Sequence, residues 1–232
     1  MRKSLKNKFI EVLNEKKYCE LNLNFKNMVK GMFPSVKNQD LILCQSYNGV
    51  KVDLIIQVNN IKKTLSIKNK NTICVYKGDV KRLISFMFSI GLSYNCISSL
   101  LSYQYSDYTT DGSGRTLNSF GLLLEDDFKN EIKIVREEFD DFKICELIDF
   151  LLVREKNGLC VDFFYFGNIK YGEIIETSEL IKNILKRKGE NNKFMKLGPF
   201  NFISLSRCDN YISNNQNKYK CMLKINLSKY KK

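Results

Sequence analysis

The chain has 232 residues, 38 Lys and Arg against 25 Asp and Glu, a net charge of +13, eight cysteines and no histidine. That length can bury a sizeable core and suits one large domain or two small ones. The missing histidine excludes Ser-His-Asp and Cys-His catalysis, a His-metal nuclease and a histidine general base. Taken in chain order, Ser4 to Lys17 reads as a helix with Leu5, Phe9, Val12 and Leu13 on one stripe, and a second helical stretch covers Leu23 to Met32. Strands are expected at Leu41–Gln45, Val50–Val58, Ile61–Lys68 and Thr72–Tyr76. Asp79 suits the N-cap of a helix striped by Val80, Leu83, Ile84, Met87 and Phe88 and stopped at Gly91. A further short helix leads into a turn-rich loop from Tyr105 to Arg115, and acidic helices follow at roughly 127–139 and 142–155. Strands return at Leu159–Phe166 and Lys170–Ile174, then a helix at Ser178–Lys188 and closing strands near Phe200–Ser206 and Tyr219–Leu227. The expected architecture is a single α/β domain over 1–232, a mixed α+β sheet flanked by helices, with a helical insertion at about 92–157.

The second and third of those strands place chemistry together. Asn59-Asn60 is a two-residue turn between β-prone runs, and Asn tolerates positive φ better than most residues. A two-residue turn puts Val58 opposite Ile61, so Asp53 falls opposite Ser66 and Lys68 lies diagonal to Asp53. Cross-strand neighbours of this kind have Cβ atoms roughly 4.5–5.5 Å apart. The alternation agrees with that register: Val52, Leu54, Ile56, Val58, Ile61, Leu65 and Ile67 share a greasy face, with only Lys63 out of place. Asp53, Gln57, Thr64, Ser66 and Lys68 share the other, where a carboxylate beside a lysine can hold a metal and a phosphate. The plain alternative is an amphipathic hairpin with a solvated charge pair.

An Asp followed a dozen residues later by an x-x-Lys triplet resembles the core of the PD-(D/E)xK, or restriction endonuclease-like, nucleases. Val52 stands at the proline position and Ser66 at the second-acid position, and the serine is similar to a group of these proteins with a D…S-(I/V)-K core. Asp111-Gly112 and the run Leu197-Gly198-Pro199-Phe200 look like two further elements of that group. The resemblance implies an Mg²⁺-dependent endonuclease acting on double-stranded DNA. It implies a type II restriction enzyme working as a homodimer, since two strands need two sites. It assigns catalysis to Asp53, Ser66 and Lys68, and metal ligation to Asp53 and the backbone carbonyl of Ile67. Glu11 on the first helix is a candidate replacement acid, although it lies nearly opposite the Leu5/Phe9/Leu13 stripe. Ser66→Glu is expected on this reading to tighten metal binding by restoring a second carboxylate.

The charge distribution names the partner class. From Lys182 to Lys232 the surplus is +11, whereas 125–141 holds eight acids. Such asymmetry points to an oriented polyanion-binding surface, with nucleic acid ahead of a membrane surface. Arg115, Lys186, Arg187, Lys188 and Arg207 are the candidate DNA contacts. Ser66 in place of the second acid keeps open a catalytically lapsed DNA- or RNA-binding protein of the same fold, and an AT-rich codon bias, which also raises Lys, keeps open an RNA-binding or structural protein with a chance hairpin. Asp107 to Gly112 begins like an EF-hand loop, but position 12 is Asn118 rather than Glu. Nothing spells a nucleotide-binding P-loop. The cysteines show no C-x-x-C spacing, the N-terminus has no continuous apolar run, and no stretch approaches the ~20 apolar residues of a membrane span. These features read as a cytoplasmic protein with reduced thiols.

Overall fold

The computed structural model describes residues 4–106, 109–113, 125–187, 194–205 and 219–230. In chain order they form α1 (Leu5–Leu13), β1 (Lys16–Lys17), α2 (Leu23–Met32), β2 (Leu41–Ser46), β3 (Leu54–Val58), β4 (Ile61–Lys68) and β5 (Thr72–Asp79). Then come α3 (Val80–Ser89), α4 (Tyr94–Tyr105), α5 (Lys129–Glu138), α6 (Asp141–Ile148) with a π-helical turn over Asp149–Val153, β6 (Phe163–Gly167) and β7 (Gly172–Glu176). The last elements are α7 (Thr177–Lys186), β8 (Lys196–Leu197), β9 (Phe200–Ser204) and β10 (Lys220–Asn226). Two compact units result: Met1–Asn71 with Ile148–Asn183 and Leu227–Lys232, and Thr72–Leu147 with Ile184–Asn226. Of the insertion expected at about 92–157, residues 92–147 belong to the second unit and 148–157 to the first.

The first unit is built on a six-stranded mixed sheet in the order β1-β2-β3-β4-β6-β7. All neighbours are antiparallel except β4 and β6, which run parallel. One face is covered by α1 and α2: Phe9, Leu13, Phe25, Met28 and Val29 pack with Ile42, Leu54, Ile56, Val58, Leu65 and Tyr165. Phe9 meets Phe25 and Tyr165 edge-on, each with ring centroids 5.1 Å apart, a geometry that suits the ring quadrupoles. Lys63, the misfit on this face, lays its ammonium 6.0 Å from the centre of the Phe163 ring and so covers apolar surface with its stem.

Several element boundaries differ from expectation, and two have a visible reason. The first helix stops at Leu13 rather than Lys17, because Glu15 turns the chain at φ 58° and Lys16 and Lys17 pair with β2. Asn14 anchors that exit by accepting the Cys44 amide at 2.9 Å. The third strand begins at Leu54 rather than Val50, because the amides of Lys51 and Val52 turn to Glu155. Asp79 caps α3 as read, accepting the Lys81 amide at 2.8 Å, and Asn22 caps α2 through the Phe25 amide.

The second unit carries a separate antiparallel sheet, β5-β10-β9-β8. Along β10, Cys221, Leu223 and Ile225 are buried while Lys220, Met222, Lys224 and Asn226 are half-exposed, the period-two pattern of a sheet with one covered face. Tyr103 of α4 anchors the core, its ring 5.4 Å from Phe128 and 6.1 Å from Phe202. The seven cysteines among the described residues form no disulfide. Burial pushes the Cys44, Cys96 and Cys221 thiols up to about 12, which leaves them protonated and unreactive. No helix of the described residues is long and apolar enough to cross a membrane.

Candidate active site

The hairpin forms in the register read from the turn, with Val58 opposite Ile61 and Leu54 opposite Leu65. Asn59 takes φ 54°, as its place in the turn requires. One step beyond Leu54 the ladder gives way at Asp53. Its amide still donates to the Leu65 carbonyl at 2.9 Å, but its side chain takes over as acceptor for the next rung. The Ile67 amide donates to Asp53 Oδ2 at 2.7 Å. That bond fixes the carboxylate at the sheet's centre. A residue in an extended strand directs its N–H and C=O toward the same neighbour, so the Ile67 carbonyl also faces the Asp53 side.

Lys68 ends β4, paired in register with Phe166 of β6. Burial lowers its pKa from the ordinary lysine value, and the Asp53 and Glu155 carboxylates pull it back up. A half-buried ammonium with two nearby carboxylates is a partly desolvated charge, which acts on neighbouring charge with less screening by water.

Ser66 lies between them in sequence yet serves another purpose. It is fully buried, at 0 % exposure, and its hydroxyl donates to the Lys51 carbonyl at 2.5 Å. The hydroxyl therefore ties β4 to the chain that leads into Asp53.

Glu155, which no sequence pattern singles out, is the acid that the fold adds. It follows the π-helical turn and is only 8 % exposed. Its Oε1 accepts the Lys51 amide at 2.6 Å and the Val52 amide at 2.9 Å. Burial alone would raise its pKa, but the amides of Lys51, Val52 and Val50, aided by the Lys51 charge, bring it below the ordinary carboxyl value. Lys51 in turn donates its ammonium to the carbonyls of Phe150 and Arg154, satisfying the end of the helical turn. A signal for Glu155 would have been a charge buried near a strand, and burial of that kind is a property of the tertiary fold.

Glu11 is exposed on α1, whose buried residues Phe9 and Leu13 pack with Leu54, Ile56 and Leu65. Lys186 and Arg187 are exposed at the end of α7. Arg115, Lys188 and Arg207 lie outside the described residues. Among the described residues no cluster of three or more His, Cys, Asp or Glu side chains is arranged to hold a metal. The donors that are present, one carboxylate with an adjacent main-chain carbonyl, are hard oxygens suited to a cation that keeps most of its water, as Mg²⁺ does.

No family model and no curated protein matches the chain. Among solved structures, the crystal structure of restriction endonuclease MspI in complex with its cognate DNA aligns with a TM-score of 0.56 over 94 % of this chain and 87 % of that one. The identity is 11 %, so what the two share is the fold. The chain is a mixed α/β protein with a restriction endonuclease-like fold, and Asp53, Ile67 and Lys68 sit together at the ends of its two central strands.

Proposed function

We propose that this protein is a metal-dependent endonuclease that hydrolyses phosphodiester bonds in double-stranded DNA, site-specifically in the manner of a type II restriction enzyme. The observation that carries the reading is Asp53, held by the Ile67 amide, beside a partly desolvated Lys68 at the centre of a restriction endonuclease-like sheet. Asp53 and the Ile67 carbonyl are the residues that would hold Mg²⁺. When bound, the ion would lower the pKa of a coordinated water and offset charge on the phosphate. Lys68 orients the attacking water by hydrogen bonding and stabilises the negative charge that gathers on the phosphoryl oxygens as one P–O bond forms and the other breaks. Ser66 acts through architecture, because its hydroxyl is committed to Lys51.

Two features support duplex DNA as the partner. The fold is shared with a protein solved on its cognate DNA, and Lys77, Lys220 and Lys224 lie on the face of the second sheet that its core leaves uncovered. The second reading, a binding protein of the same fold without catalysis, is favoured by one fact: the motif offers a single acid, with a buried serine in place of the other.

Supercoiled plasmid incubated with the protein and Mg²⁺, and in parallel with EDTA, separates these readings. Cleavage with Mg²⁺ alone is expected, and Asp53→Ala or Lys68→Ala should lower it by several orders of magnitude while DNA binding persists. Near wild-type cutting by either variant would overturn the site assignment.

A further inference from the structure

The chain from Tyr47 to Asp53 is a closed loop with a carboxylate inside it. The Tyr47 amide donates to the Asp53 carbonyl at 2.9 Å and closes the ends. Within the loop, successive amides converge on Glu155 Oε1, the arrangement by which backbone N–H groups bind anions. Gly49 is what permits this approach, because a Cβ there would stand 2.1 Å from that same oxygen. Glu155 is itself anchored, its amide donating to the Leu159 carbonyl and its own carbonyl accepting from the Gly158 amide. The Ser66 hydroxyl pins the Lys51 carbonyl from the β4 side. The backbone groups so held belong to Lys51 and Val52, the two residues that lead directly into Asp53, and the Glu155 charge also acts on Lys68.

We infer that Glu155 is a positioning residue: its carboxylate, seated in the amides of the 49–52 loop, sets where Asp53 presents its carboxylate to the metal and to Lys68. The inference rests on the nuclease reading. A conventional second acid would bind the cation directly, whereas here the second charge would act through the backbone, which explains how a serine can occupy the β4 position. Residues that orient a ligand in this way are worth about 10–100-fold in metal affinity.

The test uses the full chain, with Mn²⁺ as a titrated probe, amide hydrogen exchange at residues 50–52, and cleavage at graded Mg²⁺. Glu155→Ala should lose protection at those amides, weaken Mn²⁺ binding by about 10–100-fold and raise the Mg²⁺ needed for half-maximal cleavage by a similar factor, with most of kcat recovered at saturating metal. Gly49→Ala, which pushes a Cβ into the carboxylate, should reproduce that pattern. Glu155→Gln keeps an acceptor oxygen and should fall between. These two variants also serve if Glu155→Ala does not fold. Lost protection with unchanged Mn²⁺ affinity would overturn the inference and reduce Glu155 to a loop anchor. Mn²⁺ binding that ignores Asp53→Asn would overturn the nuclease reading, and this inference with it.

Discussion

At the residue scale, Ser66 shows how burial changes the meaning of a substitution. From the motif, Ser66→Glu adds the missing acid. The structure places that side chain at 0 % exposure with its hydroxyl bonded to Lys51, so a glutamate must displace packed neighbours and carry a charge into a closed space. Ser66→Glu is expected to lower stability by more than Ser66→Ala, which should cost about 1 kcal/mol for the missing hydrogen bond. Denaturant melts of both variants check this. A Ser66→Glu protein as stable as wild type, with a lower Mg²⁺ requirement, would show that the site has room for a second acid.

At the element scale, packing and charge make separate demands. The β6–β7 hairpin brings Gly172 against the Tyr165 ring, where an added Cβ would lie 2.2 Å from Cζ. Tyr165 cannot swing away freely, because its hydroxyl donates to the Asn168 carbonyl at 2.7 Å and accepts from Asn24 at 2.8 Å. Gly172→Ala should therefore destabilise by about 1–3 kcal/mol, read as a lower melting temperature with DNA binding intact at low temperature. The second sheet makes the opposite test. Lys220, Met222 and Lys224 alternate with the buried residues of β10, and the register sets Lys77 opposite Met222. Neutralising Lys77, Lys220 and Lys224 together should weaken binding to cognate and random duplexes alike. It should also flatten the salt dependence, by about 0.9 in slope for each phosphate that no longer meets a lysine. The same measurement on Lys186, Arg187 and Lys188 tests the candidate contacts expected from the sequence. Unchanged affinity and slope in either triple variant would remove that surface from the DNA interface.

At the scale of the whole molecule, the proposed nuclease reading gives each chain one Asp53–Lys68 site, and cutting two strands in one encounter would take two such sites. On that reading a homodimer is the expected active form. Sedimentation on a short cognate duplex should give two 27.1 kDa chains per duplex, and plasmid should pass to linear product without a long-lived nicked form. A monomer that accumulates nicked circles would reject the dimer and leave the hydrolytic site standing.

Much of the site is legible in the sequence because the hairpin is local. A two-residue Asn-Asn turn and near-regular alternation favour one register, which the pairs from Val58–Ile61 to Leu54–Leu65 follow, and beyond it the Asp53 carboxylate takes the Ile67 amide next to Lys68. The caps at Asn22 and Asp79, and α2 from Leu23 to Met32, are equally local, resting on hydrogen bonds within four residues. The rest of the site depends on residues about a hundred positions apart in the chain. Glu155 reads as one more solvated glutamate until the fold brings it to the amides of Lys51 and Val52. Ser66 reads as a candidate catalytic residue, and only the fold shows its hydroxyl bonded to the Lys51 carbonyl. Hydrophobic period decides which side of an element is buried, but not which distant backbone amides wait there for a carboxylate. That pairing comes only from tertiary structure, because a buried charge is stable only where the whole chain supplies its partners.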